Sequence, residues 1–233
     1  MQLFYDPDLT VGPYELRSDE ARHAARVLRK AVGDTLDLTD GRGGWYRGTV
    51  TEIDKRSCRL DVVRTGRSDR RAPRRLTLLV APTKSMDRFE FMLEKVTEIG
   101  IDVIQPFFSE HSERTRLRTD RLSRIIEAAA KQSIRPWLPE LREPTDFAGA
   151  LENCSGTSNY LAYLGGEETP LLRDLPPVTD DVVVAVGPEG GFSRAEADLA
   201  RGHAYRWASL GPHRLRTETA AIAAVHTLES LGW

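Results

Sequence analysis

The 233 residues contain only two cysteines, Cys58 and Cys154, which lie far apart with no C-x-x-C pair. Neither a disulfide framework nor a cysteine zinc site is suggested, and a reducing cytoplasm is the default compartment. No apolar run approaches the ~18 residues of a membrane span. The opening MQLFYDPDLT has none of the zones of a signal peptide. The histidines His23, His111, His203, His213 and His226 are scattered, and no His/Cys/Asp cluster has metal-ligand spacing, so no metal is expected. His226 reads as a packed helix residue. A Walker A loop and a G-x-S-x-G elbow are absent. The segment nearest to a dinucleotide fingerprint is Gly187-Pro188-Glu189-Gly190-Gly191-Phe192. Pro188 offers no N–H, and Glu189 would meet a pyrophosphate with like charge, which disfavours NAD.

What is present is an ordinary globular composition, 40% hydrophobic and 29% charged, in a chain long enough for two domains. The net charge of −2 conceals an uneven distribution. Residues 1–75 carry 16 Lys+Arg against 12 Asp+Glu, a net +4, and residues 111–142 carry 8 against 4, again +4. The remainder is therefore −10. Concentrated in this way, positive charge gives a protein of acidic pI a basic surface.

The chain is organised around Asp181 to Arg201, DVVVAVGPEGGFSRAEADLAR. Val182, Val183, Val184 and Val186 predict a strand covered on both faces. Gly187-Pro188 ends it. Ser193 and Glu196 form a capping box that starts a helix. The pattern recurs later: strand Tyr205–Leu210, break Gly211-Pro212, then HRLRTETA into the last helix, Thr219 to Leu231, which buries Ile222, Val225 and Leu228. If the two strands are neighbours, both loops wall one pocket at the carboxyl end of a sheet, where open α/β folds bind ligands. Loops of backbone amides and carbonyls, without a phosphate cradle, suit an adenosine-like ligand better than a polyphosphate.

Residues 1 to about 63 read as a small β-rich domain with one helix. That helix is capped by Ser18, runs to about Lys30, and has Ala24, Val27 and Leu28 on its apolar side. Arg22, Arg26 and Arg29 form a basic stripe suited to phosphate or simply to solubility. Strands are expected over Thr35–Thr39, Trp45–Ile53 and Arg59–Val63, with a turn at Asp40–Gly44. Thr65–Arg75 reads as an Arg-rich linker. Strands and helices then alternate: Leu76–Ala81, helix Met86–Ile99, strand Ile101–Phe108 kinked or ended by Pro106, helix Asp120–Ser133, a short helix Thr145–Glu152, and strand Tyr160–Leu164. This order argues for a parallel sheet with helices on both faces.

VGPEGGFS and LGPHRLRTETAA together resemble the RsmE family of S-adenosylmethionine-dependent methyltransferases, in the SPOUT superfamily, which act on N3 of a uridine in 16S ribosomal RNA. HAARVLR (His23–Arg29), KSMDRFEFMLEKVTEIG (Lys84–Gly100), Phe108–Arg114 and AAAKQSIR (Ala128–Arg135) are similar to further signatures of that family, so the likeness covers nearly the whole chain. The resemblance implies an α/β protein with a PUA-like RNA-binding domain over 1–70 and a trefoil-knotted methyltransferase domain over 71–233. It also implies a homodimer in the cytoplasm acting on the small ribosomal subunit, without a membrane. It places Leu164, Gly187, Gly191, Leu210, Leu215, Thr217, Thr219 and Ala220 around S-adenosylmethionine, with Glu189, Gly190 and Gly211 in the same two loops. Arg216 would stabilise the uracil anion as N3 loses its proton, with Glu218 orienting Arg216 or the base. Arg22, His23, Arg26, Arg29, Lys84, Arg114 and Arg135 would meet RNA. His213-Arg214 departs from the usual Arg-aliphatic pair, which leaves the role of the first Arg open. The alternatives are a SPOUT enzyme acting on tRNA or a ribose 2′-OH, and a non-catalytic RNA-binding assembly factor.

Overall fold

The computed structural model describes residues 2–68, 74–163, 169–176 and 180–231. The chain forms two compact units: Met1–Arg70 with Glu127–Leu138, and Arg71–Ile126 with Pro139–Trp233.

The first unit is built on a five-stranded sheet, β1 (Leu3–Tyr5), β2 (Gly12–Glu15), β3 (Thr35–Thr39), β4 (Gly44–Ile53) and β5 (Cys58–Arg67), in the order β1-β3-β4-β5-β2. Alternate residues of β4 and β5 turn inward, and Val50, Leu60 and Val62 pack with Phe4, Leu36 and Leu38 as period-two strands require. β5 runs to Arg67, so the first part of the expected linker is strand, with Gly66 opposite Trp45 and Arg67 opposite Gly44. Glu127–Leu138 is tied in by polar contacts. Glu20, 2% exposed, pairs with Lys131, Arg17 donates to Glu127 at 3.0 Å, and Gly43 N donates to Pro136 O at 2.8 Å. Burial pushes the Glu20 carboxyl above its usual value, and Lys131 opposes that shift.

The helix of this unit departs from expectation. Helix α1 (Ser18–Arg22) begins at Ser18 itself, with Arg17 in the cap position and no side-chain cap. A π-helical turn over His23–Val27 continues it, closed by Leu28 N donating to His23 O. The extra residue in that turn rotates the end of the helix, so Val27, expected inside, is 66% exposed.

The second unit holds parallel strands β6 (Leu76–Val80), β7 (Val103–Phe108), β8 (Glu140–Leu141), β9 (Thr145–Asp146), β10 (Ser158–Ala162), β11 (Val182–Val186) and β12 (Tyr205–Ala208). Their order is β12-β10-β11-β6-β7-β8, with β9 also on β7. Helices α2 (Met86–Ile99), α3 (Thr119–Gln132, whose last turns belong to the first unit), α4 (Phe147–Asn153), α5 (Arg194–Gly202) and α6 (Thr217–Ser230) complete the chain. β11 is buried throughout, and its side chains alternate between two cores. Val182, Val184 and Val186 meet α2 and α6, while Val183 and Ala185 meet Phe147, Phe192 and Ala197 of the other layer. This is the parallel sheet covered on both faces that the β-branched run predicts.

Pro106 does not end β7. Its missing N–H falls between β8 and β9, where no ladder partner is due, and Gln105 Nε2 bridges to Pro106 O and Glu143 O at 2.8 Å each. α6 starts at Thr217, two residues earlier than expected, with Val225 and Leu228 buried and Ile222 partly so. His226 is exposed rather than packed. At its far end Arg74, 7% exposed, donates to Leu228 O at 3.0 Å and pairs with Glu229 at 2.9 Å. The end of the expected linker is therefore a buried cation on helix C-terminal carbonyls, where the dipole favours it. Residues 69–73 of that stretch lie outside the described residues.

The turn into β4 yields a stability test. Gly43 has φ +87°, and a Cβ there would come within 2.4 Å of the Trp137 ring and 2.8 Å of Ser68 O; Gly12 has φ +97° but open space. Gly43→Ala should cost ~3 kcal/mol, against ~1 kcal/mol for the backbone strain of Gly12→Ala, read from denaturant midpoints. Equal losses would show that the Trp137 contact is not tight.

Candidate active site

The register of the sheet sets the site. Ala162 pairs with Val186 on one side and with Ala208 on the other, so β10, β11 and β12 end level with one another. The segments that leave these strand ends meet around a cavity of 640 Å³. Its walls include Gly187–Phe192 after β11, Ser209–Gly211 and His213–Thr217 after β12, and Ala220 on α6.

Each loop is held by specific bonds. Gly191, at φ +75°, closes a turn by donating to Pro188 O at 2.9 Å, and a Cβ there would meet nothing within 4 Å. Ser193 caps α5 with the full reciprocal capping box. Thr217 Oγ1 donates to Gly187 O at 3.2 Å, fastening the start of α6 to the end of β11. Phe192 stacks on Phe107, centroids 6.0 Å apart, and leans on Phe147 at 4.9 Å. A Cβ on Gly187 would touch that ring at 3.0 Å, and one on Gly190 would meet His111 Cβ at 2.8 Å. Both glycines are thus required by close approach.

Glu189 joins the loops. Its Oε1 accepts from Lys84 N at 2.9 Å, and its backbone O accepts from Arg214 Nη2 at 3.1 Å. Arg114 Nη2 donates to Lys84 O at 2.8 Å. Arg214, in the position where the family usually has an aliphatic residue, is therefore a clamp between the two loops, while His213 beside it is exposed on the cavity wall.

Of the residues singled out in the sequence, Gly187, Glu189, Gly190, Gly191, Leu210, Gly211, Leu215, Arg216, Thr217 and Ala220 line this cavity. Thr219 does not; it is exposed on α6. Leu164 lies outside the described residues. Arg216 occupies the N-cap position of α6, is exposed, and has no side-chain partner among the described residues. Glu218 faces Arg88 rather than Arg216, Oε1 to Nε 3.8 Å, and its Oε2 is buried without a hydrogen bond. Arg88, in the first turn of α2, lines the cavity and was missed in the sequence; as one charged residue among several on an amphipathic helix it gave no signal. Tyr163 and Phe192 were missed too, because nothing in their local pattern separates wall from core.

The basic residues divide between the units. Arg22, His23, Arg26, Arg29 and Arg135 belong to the first, Lys84 and Arg114 to the second. Arg22 donates to Ser18 O at 2.9 Å, while Arg26 and Arg29 are exposed. Burial, and then the Lys131 ammonium, hold His23 below its ordinary pKa, so it is a neutral hydrogen-bonding group at neutral pH. Arg114 directs its donors to Thr83 O and Lys84 O. Among the described residues there is no cluster of three metal-ligating side chains and no helix long and apolar enough to cross a membrane.

Comparison with known proteins agrees with this arrangement. Residues 70–229 match the RNA methyltransferase domain, and residues 16–63 match the RNA methyltransferase PUA domain. The chain is 29% identical to a ribosomal RNA small subunit methyltransferase E from Synechocystis sp., over 93% of this chain and 72% of that protein. A probable rRNA-methyltransferase from Porphyromonas gingivalis is 38% identical with a TM-score of 0.88, covering 99% of both chains. A ribosomal RNA small subunit methyltransferase E from Neisseria gonorrhoeae, solved bound to S-adenosyl methionine, is 29% identical with a TM-score of 0.87, covering 100% of this chain and 98% of that one. With its cavity built at the carboxyl ends of parallel strands and a domain match spanning most of its length, this chain belongs to the RNA methyltransferase family.

Proposed function

We propose that the protein transfers a methyl group from S-adenosylmethionine to N3 of a uridine in the 16S RNA of the small ribosomal subunit. The observation that carries this reading is the cavity formed jointly by the two Gly-Pro loops. Its volume is that of a small-molecule site. Val186, Phe192, Leu210 and Ala220 offer apolar wall for an adenine, and Gly191 leaves open space where a side chain would stand. The residues present therefore fit this cofactor. Gly187, Glu189, Gly190, Gly191, Leu210, Gly211, Leu215, Thr217 and Ala220 would hold it, with Leu164 and Thr219 assigned there by family resemblance alone. When bound, S-adenosylmethionine supplies an electrophilic methyl group on a sulfonium, so no covalent enzyme intermediate is required.

Arg216 stabilises the negative charge shared by uracil O2 and O4 as N3 gives up its proton to solvent water. An exposed guanidinium at the cavity wall with its donors unengaged suits that role. Glu218 positions Arg88, the cation it faces, at the same wall. Residues 1–70 act as the PUA-like RNA-binding domain, with Glu127–Leu138 packed into the same unit, and the rest of 71–233 acts as the SPOUT domain. In this reading Arg22, Arg26, Arg29 and Arg135 meet phosphates, His23 adds a hydrogen bond, and Lys84 lies near the substrate. The trefoil knot belongs to the same reading and comes from the family resemblance. The protein acts in the cytoplasm as a homodimer.

Two substitutions test the roles. Arg216→Ala should lower the methylation rate on the order of 10²-fold or more and leave S-adenosylmethionine affinity, measured by calorimetry, unchanged. Equal loss of both would make Arg216 a cofactor-binding residue. Gly187→Val drives a side chain into the Phe192 ring and should weaken the cofactor by at least about tenfold, or ~1.4 kcal/mol. Undiminished affinity would remove the first loop from the cofactor site.

A further inference from the structure

Beyond the cavity, the edge strand β12 carries an arrangement that the methyl-transfer site does not use. Trp207 projects to the α5 side of the sheet, in register with Leu161 of β10. Its indole is fixed by Nε1 donating to Ala197 O at 3.3 Å. The Arg201 guanidinium lies over the ring with Cζ 3.4 Å from the centroid, a stacked cation–π contact. Arg194 stands over the same ring at 5.3 Å and pairs with Asp198 at 3.0 Å. Tyr163 packs against the indole at 4.8 Å and also forms part of the cavity wall.

The state of Arg201 distinguishes this cluster from ordinary surface packing. It is exposed, and among the described residues its guanidinium has neither a hydrogen bond nor an ion pair. Asp198 neutralises Arg194, which leaves the Arg201 charge uncompensated. Its plane is held by the indole beneath, the residue is exposed, and its N–H donors have no partner among the described residues. A guanidinium pre-stacked in this way loses little rotamer entropy when it binds. Its flat face suits a nucleobase and its edge suits a phosphate, the two contacts that single-stranded nucleic acid offers together. Residues 194, 198 and 201 share one helix face, so the surface extends along α5.

We propose that the Arg201–Trp207 stack, continuous through Tyr163 with the cavity wall, is a docking surface for an unpaired segment of the RNA substrate flanking the methylated nucleotide. The inference rests on the reading of the chain as an rRNA methyltransferase. A base lies on the Arg201 plane, and an adjacent phosphate takes its edge donors.

The test measures affinity for small-subunit RNA across a salt series, S-adenosylmethionine affinity and methylation, in the wild type and in Arg201→Gln, Arg201→Lys and Trp207→Leu. Arg201→Gln should weaken RNA binding at least about fivefold and reduce the salt slope by about 0.7, the value for one single-strand phosphate contact. Arg201→Lys should keep the slope but lose affinity, because it retains charge without the planar face. S-adenosylmethionine affinity should not change in either. Trp207→Leu should behave as Arg201→Lys; if it fails to fold, the two exposed Arg201 variants still decide the matter. Wild-type RNA affinity and slope in Arg201→Gln, with the wild type methylating normally, would overturn the docking surface alone. A wild type that neither binds nor methylates RNA would overturn the functional reading and the docking surface with it.

Discussion

The backbone and side chain of Glu189 are the joint on which the site depends. One residue ties the loop after β11 to the Lys84 amide through its carboxylate and to Arg214 through its carbonyl. A carboxylate accepting a backbone N–H is a charge-assisted bond, stronger than a neutral one. Without these bonds the two Gly-Pro loops would have fewer ties to one another. With them, and with Thr217 fastened to Gly187 O, the walls of the cavity are fixed relative to the sheet that carries them. Pre-organisation of this kind lowers the ordering cost of binding, which is how a loop site reaches useful affinity.

The arginines of this chain divide by whether their donors are used within the fold. Arg74 is buried at the end of α6, Arg17 is committed to Glu127, and Arg114 to the carbonyls beside Lys84. Arg26, Arg29, Arg201 and Arg216 are exposed, and among the described residues their side chains have no hydrogen bond or ion pair. Counting charges along the chain cannot separate these classes, because the distinction lies in partners brought together by the fold. A net charge of −2 therefore says little about which cations the fold leaves uncompensated.

Much of this was legible in the sequence wherever local chemistry and global fold agree. The β-branched run of β11, the Gly-Pro stops and the Ser193–Glu196 box each point to one structure, and α2 falls on its expected residues. The misreadings arose where distant residues override local pattern. The π-turn after α1 exposes Val27. Pro106 is tolerated because the partner strand changes beside it, which no property of the strand itself reveals. Thr65–Arg75 is polar enough to read as a linker, yet it begins as strand and ends in a buried arginine. In the site, the glycines and Arg216 came from the motif. Arg88 and Tyr163 arrive from other elements, and Glu218, expected to orient Arg216 or the base, faces Arg88 of α2.

The central claim is the target atom, and mass analysis of the product nucleoside tests it most directly. Small subunits lacking the modification would be incubated with the protein and labelled S-adenosylmethionine, and their RNA digested to nucleosides. The account predicts label in 3-methyluridine alone. Label in a 2′-O-methylated nucleoside, or in tRNA but not in the subunit, would contradict it while leaving the fold and the cavity as described.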